Sequence, residues 1–164
     1  MRHYELTVEL LAWHEAGHAA LIEGMGDQWV DIRIDPKTGS GLIRTSTQSP
    51  TIIKPFDADN APRSVIGASN ELKSMSRRMA IPYFAGIAAE LFYLGKPFTP
   101  EAFSDAKFHD FAVARWLLSL TDSEADYPYC ARVAFDLVMA YRTRIEQLAR
   151  QLLESGMVLS TEEI

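Results

Sequence analysis

A mainly α-helical single domain carrying one small β-hairpin is what this sequence predicts, and three observations predict it. Apolar residues recur at helical spacing in four separate stretches. Alternation with period two is confined to the stretch around Val30-Asp31-Ile32-Arg33-Ile34. The 164 residues, 48% hydrophobic and 23% charged, suffice for one core and fall short of two.

The first helix is read from Leu6, Leu10, Trp13, Gly17 and Leu21, with Gly24 and Gly26 on either side of Met25 as stop signals. Turn chemistry from Asp35 to Gly41 then joins the alternating strand to a second one, Leu42–Thr47, as a hairpin. Three prolines (Pro50, Pro55, Pro62) between Gln48 and Ser69 predict a long surface loop. Helical spacing resumes from Glu71 to Leu94, with Pro82 marking a kink or a break. A further helix opens near Thr99-Pro100-Glu101 or Ser104-Asp105 and reaches Leu120. One long amphipathic helix from about Tyr129 to Glu154 completes the chain, before a short acidic tail from Gly156.

The net charge of −6 argues against a nucleic acid partner, which calls for a basic surface. The single Cys130 rules out an internal disulfide and a thiolate metal cage, and the reducing cytoplasm suits it. No basic segment followed by an apolar stretch opens the chain, so no export signal is expected. Met79–Leu94 is the most apolar stretch, but Pro82, Gly86 and Glu90 interrupt it, so a buried helix is expected rather than membrane insertion.

Chemistry concentrates in His14-Glu15-Ala16-Gly17-His18, an HExxH pattern inside the first helix. Residues four apart stand one above the other on a helix, so both imidazoles can hold one metal ion. Glu15, about 100° round the axis from His14, can reach a water beside the metal without ligating it. With 4 histidines and 12 glutamates in the chain, chance would produce the pattern only about 0.007 times. Catalytic zinc usually takes three protein ligands, so a third lies elsewhere. The metzincin continuation is excluded, because Leu21 and Gly24 stand where it needs glycine and histidine.

Four segments in order resemble the peptidase domain of the FtsH-type, membrane-anchored, ATP-dependent zinc proteases. HEAGHAAL (His14–Leu21) is similar to that family's zinc helix, and VDIRIDPKTGSGLIRTST (Val30–Thr47) to the hairpin that follows it. RRMAIPYFAGIAAELFYLG (Arg77–Gly95) is similar to the helix with the AGxAAE signature, and Arg142–Ile164 to the C-terminal helix. The resemblance implies a zincin-like helical peptidase domain over residues 1–164, with Zn2+ as cofactor and His14 and His18 as ligands. It further implies an aspartate as third ligand, near the start of the helix after AGxAAE. Asp105, 15 positions after Glu90, is preferred by spacing, and Asp110, followed by an apolar-x-x-Ala continuation, is the alternative.

Other residues carry lesser expectations. Glu90 is a candidate acceptor for a ligand imidazole, or an ordinary structural Glu; Glu71 or Glu90 as a glutamate ligand is a further alternative. His109 reads first as a surface or capping histidine and Cys130 as a buried small residue. The expected function is a zinc metallopeptidase acting on peptides or unfolded protein segments, with Glu15 as general base. The competing reading is a catalytically silent metal-binding interaction module. No GxxxxGK[ST] loop is present, so the resemblance brings in a separate ATPase as a partner and leaves a homo-oligomeric ring open.

Overall fold

The computed structural model describes residues 5–45, 70–105, 108–121 and 123–160. Over these the chain runs α1 (Val8–Gly24), β1 (Trp29–Asp35), β2 (Ser40–Thr45), α2 (Asn70–Tyr93), a short 3-10 helix (Pro100–Phe103), α3 (His109–Ser119), α4 (Asp126–Ala140), α5 (Arg142–Ser155) and β3 (Met157–Leu159). The expectation of a mainly helical chain with a small antiparallel sheet agrees with this. The loop expected over Gln48–Ser69 lies outside the described residues.

Helix α1 is the central element, because small and apolar residues run round its whole circumference. Thr7 starts it, accepting a hydrogen bond from the Leu10 N–H at 3.2 Å. α2 packs along one side of α1, α5 along another, and β1 and β2 of the sheet against it as well. The crossing of α1 and α2 is close because it is built from small residues. A β-carbon on Gly17 would stand 2.7 Å from Ala89 Cβ and 2.8 Å from the Ala85 carbonyl oxygen. Beyond α2, the rings of Phe84, Phe103, Phe111 and Tyr127 pack edge to face or tilted, fixing α3 and α4 against it.

The sheet has the order β2-β1-β3, with both neighbours antiparallel to β1. Ile32 and Ile34 face the core. On the opposite face Asp31 is covered by two arginines: Arg33 Nε donates to Oδ1 at 2.9 Å and Arg44 Nε to Oδ2 at 2.6 Å. Burial opposes the Asp31 charge, but the two guanidiniums outweigh it and hold the carboxyl below its usual range. Strand β3 replaces the tail expected from Gly156: that residue, at φ 73°, turns the chain out of α5, and its carbonyl accepts from the Ile34 N–H at 2.9 Å.

Two other expectations need correction. Of the kink or break expected at Pro82, the break does not occur: α2 runs through it, since packing against α1, α3 and α4 outweighs one missing backbone donor. The helix expected from Tyr129 to Glu154 is two helices, which meet at Tyr141. The Tyr141 ring lies on Gly24 at the end of α1, where a β-carbon would come within 2.7 Å of its hydroxyl. Amphipathic spacing alone does not register such a contact. Beside the joint, Arg144 forms a bidentate pair with Glu23, at 2.9 and 2.8 Å, and ties α5 to α1.

Gly17→Ala tests the close crossing. Overpacking of about 1–3 kcal/mol, partly offset by the better helix propensity of alanine, should destabilise the protein by about 1–2 kcal/mol. A fall in Tm of roughly 2–8 °C is expected for a chain of this size. An unchanged Tm would mean that the helices do not touch there.

Candidate metal centre

His14 and His18 project from α1 toward α2, with ring centroids 4.8 Å apart. The His14 ring lies directly on the backbone of α2 at Gly86, where any β-carbon would overlap it, coming within 2.6 Å of Nδ1. One turn further along α2, Glu90 is fully buried and its Oε1 accepts from the His14 Nδ1–H at 2.6 Å. The His18 Nδ1–H donates to the Pro82 carbonyl oxygen at 2.7 Å. With both Nδ1 atoms acting as donors, each neutral ring carries its lone pair on Nε2.

Those two Nε2 atoms face each other at 3.1 Å. Asp110 Oδ2 stands 3.2 Å from the Nε2 of His18 and 3.6 Å from that of His14. Three acceptors this close repel one another unless positive charge lies among them. A proton can supply it: burial opposes charge on His14, but Asp110, Glu90 and Glu15 outweigh that and push its pKa up to about 9. Burial likewise opposes the Asp110 charge, but His18 and His14 hold its carboxyl far below the usual carboxylate range. A divalent cation answers the same demand more fully. The donor set of two imidazole nitrogens and one carboxylate oxygen, all within 4.8 Å of one another, is the kind zinc takes in catalytic sites.

The structure brings Asp110, not the preferred Asp105, into this group. Asp105 sits in the connection before α3, where its carbonyl accepts from the Phe108 N–H at 3.2 Å. α3 opens at His109, later than expected, so the early part of that helix contributes Asp110. Phe108 anchors this start edge-on against His14, with centroids 5.9 Å apart, and against Phe111 at 5.0 Å. Glu71, exposed at the start of α2, lies about 22 Å along the helix from Gly86 and is far from the group.

Glu15 is buried beside these residues and takes no part in the hydrogen bonds that join them. Gly41 of β2 covers it so closely that a β-carbon there would coincide with its carboxylate. A cleft of about 570 Å³ opens over the group, lined by His14, Glu15, His18 and Asp110 on one side and by Gly39–Ile43 on the other. His109 is exposed at its rim.

Sequence reasoning missed the Pro82 carbonyl, Gly86, Gly41 and Tyr83. The run of small residues Ala85-Gly86 and Ala88-Ala89 was the signal that could have found Gly86, since a helix face without bulk allows close approach. Nothing in the sequence marks a backbone carbonyl or the strand residue that will cover Glu15. No family model matches the chain, and comparison with curated proteins finds no match.

The raised pKa of His14 sets a pH dependence for the metal-stripped protein. A group whose pKa rises on folding from 6.5 to about 9 adds stability that is full below 6.5 and lost as pH climbs through 9. Asp110, shifted the other way, adds stability that is lost in acid. Tm in chelator should therefore fall between about pH 6.5 and 9, and saturating zinc should remove that fall by replacing the proton. Calorimetry at pH 7 in buffers of different ionisation enthalpy should register close to one proton released per zinc bound.

Proposed function

We propose that this chain is a zinc-dependent metallopeptidase of zincin-like type, related to the FtsH-type peptidase domains, that hydrolyses peptide bonds in peptides or unfolded protein segments. The observation that carries the reading is the convergence of His14 Nε2, His18 Nε2 and Asp110 Oδ2 beside a buried Glu15, in a cleft bordered by an outer β-strand. A purely structural zinc site is closed by four protein ligands and has no use for an adjacent base. Among the described residues no helix is long and apolar enough to cross a membrane.

Zinc held by the three ligands supplies Lewis acidity toward the scissile carbonyl and toward water. The chain's own residues do the remaining work. Glu15 accepts the proton of the attacking water as the new C–O bond forms, then delivers it to the amine as the C–N bond breaks. Glu90 and the Pro82 carbonyl fix the tautomer and angle of the two imidazoles. Among the described residues β2 is an edge strand of its sheet, and it lines the cleft, so an extended segment can add to it through backbone hydrogen bonds. Recognition through backbone fits broad tolerance of sequence.

Zinc content and cleavage of an unfolded casein, measured together, test the assignment. Glu15→Gln should retain zinc and lose about 10²–10⁴-fold in kcat. Asp110→Ala should lose zinc, and Asp105→Ala should keep both zinc and activity. Stoichiometric zinc with no cleavage of several unfolded proteins would instead favour the interaction-module reading.

Gly41→Ala gives a separate check on Glu15. The added methyl displaces the carboxylate without touching a ligand. Cleavage should therefore drop at least tenfold while zinc stoichiometry stays at the wild-type value.

A further inference from the structure

We propose that Tyr83 is a catalytic residue of this site, its phenol donating a hydrogen bond to the scissile carbonyl oxygen as that oxygen gains negative charge. The proposal rests on the metallopeptidase reading and extends it to the group that stabilises the transition state. Tyr83 follows Pro82 directly, so the turn of α2 that orients His18 also carries the phenol. It lines the same cleft as His14, Glu15, His18 and Asp110.

The polar side chains of the proposed metal group itself are unsuited to donate. The two imidazoles commit their Nδ1 protons to Glu90 and Pro82 and turn lone pairs inward. Glu15 and Asp110 are acceptors. Ser40 pairs with Thr38 at 2.6 Å, and His109 is exposed at the rim. Tyr83 is half-buried, and among the described residues no hydrogen bond engages its hydroxyl. Tyr127 shows the usual alternative, its hydroxyl donating to the Phe103 carbonyl at 2.6 Å. Burial, and then the Asp110 carboxylate, raise the Tyr83 pKa above the ordinary phenol value of 10, so its proton stays in place through the neutral range.

In the reaction the water oxygen bonds to the carbonyl carbon, and the carbonyl π pair moves onto the carbonyl oxygen, which the Tyr83 phenol would stabilise. Glu15 takes the water proton and passes it to the departing amine. Tyr83 keeps its own proton throughout and returns to its starting state when the carbonyl re-forms. A donor used only while that charge exists lowers the barrier without tightening substrate binding.

The test compares zinc-loaded wild type with Tyr83→Phe, which preserves ring volume, after matching zinc content and Tm. On unfolded casein, kcat should fall about 10²-fold with KM unchanged. Affinity for a phosphinic Leu-Leu pseudopeptide, whose tetrahedral oxyanion mimics the transition state, should fall by a similar factor in calorimetry. Wild-type cleavage with equal kcat and equal phosphinate affinity in Tyr83→Phe overturns the proposal alone. A zinc-loaded wild type that cleaves nothing overturns the metallopeptidase reading and this proposal with it.

Discussion

The close approach of α1 and α2 is the constraint on which the rest depends. Gly17 lets the two backbones meet at Ala85 and Ala89, and Gly86 lets the His14 ring lie against α2 with no side chain between. Once the helices stand at that separation, Glu90 falls opposite one imidazole and the Pro82 carbonyl opposite the other. Larger residues at either glycine would move α2 outward, and both outer hydrogen bonds would lengthen together. The small residues of the AGxAAE run thus serve packing and site geometry through the same contact.

Electrostatic consequences follow from that geometry. A buried carboxylate against a buried imidazole is tolerable only when charge and hydrogen bonds compensate for lost hydration. Glu90 meets this by accepting from His14, whereas Asp110 meets it only when positive charge lies between it and the two Nε2 atoms. The surrounding carboxylates favour the protonated form of His14, and the three inward acceptors lie close enough to share one positive charge. The Asp31 carboxylate, flanked by Arg33 and Arg44 on the sheet, solves the same burial problem with fixed positive charges and offers no inward vacancy for a metal donor set.

The cleft joins two kinds of surface. Its floor is helix, which holds chemical groups at fixed separations because each is locked by a neighbour. Its wall is β2, an edge strand of the sheet among the described residues. Gly41 connects them, since the strand can cover Glu15 only where it has no side chain. Phe108 and Phe111 hold the first turn of α3 at the far side, so Asp110 arrives from an element remote in sequence from α1.

The sequence by itself determined the elements and half of the site. Helical spacing marked α1, α2 and the C-terminal helices, alternation marked the hairpin, and the four-residue interval placed His14 and His18 on one face with Glu15 beside them. These are local properties, fixed by the 3.6- and 2-residue periods of the backbone. Only the tertiary structure brought Asp110, rather than Asp105, beside the two imidazoles, bent the last helix at Tyr141, carried α2 through Pro82 and added β3 to the sheet. Each of these depends on what lies across the fold: the aromatic cluster that sets where α3 begins, the bare Gly24 under the Tyr141 ring, the three helices packed on α2, and the β1 edge that receives β3. A contact between residues distant in the chain leaves no period in the sequence, because its energy comes from neighbours that only folding supplies.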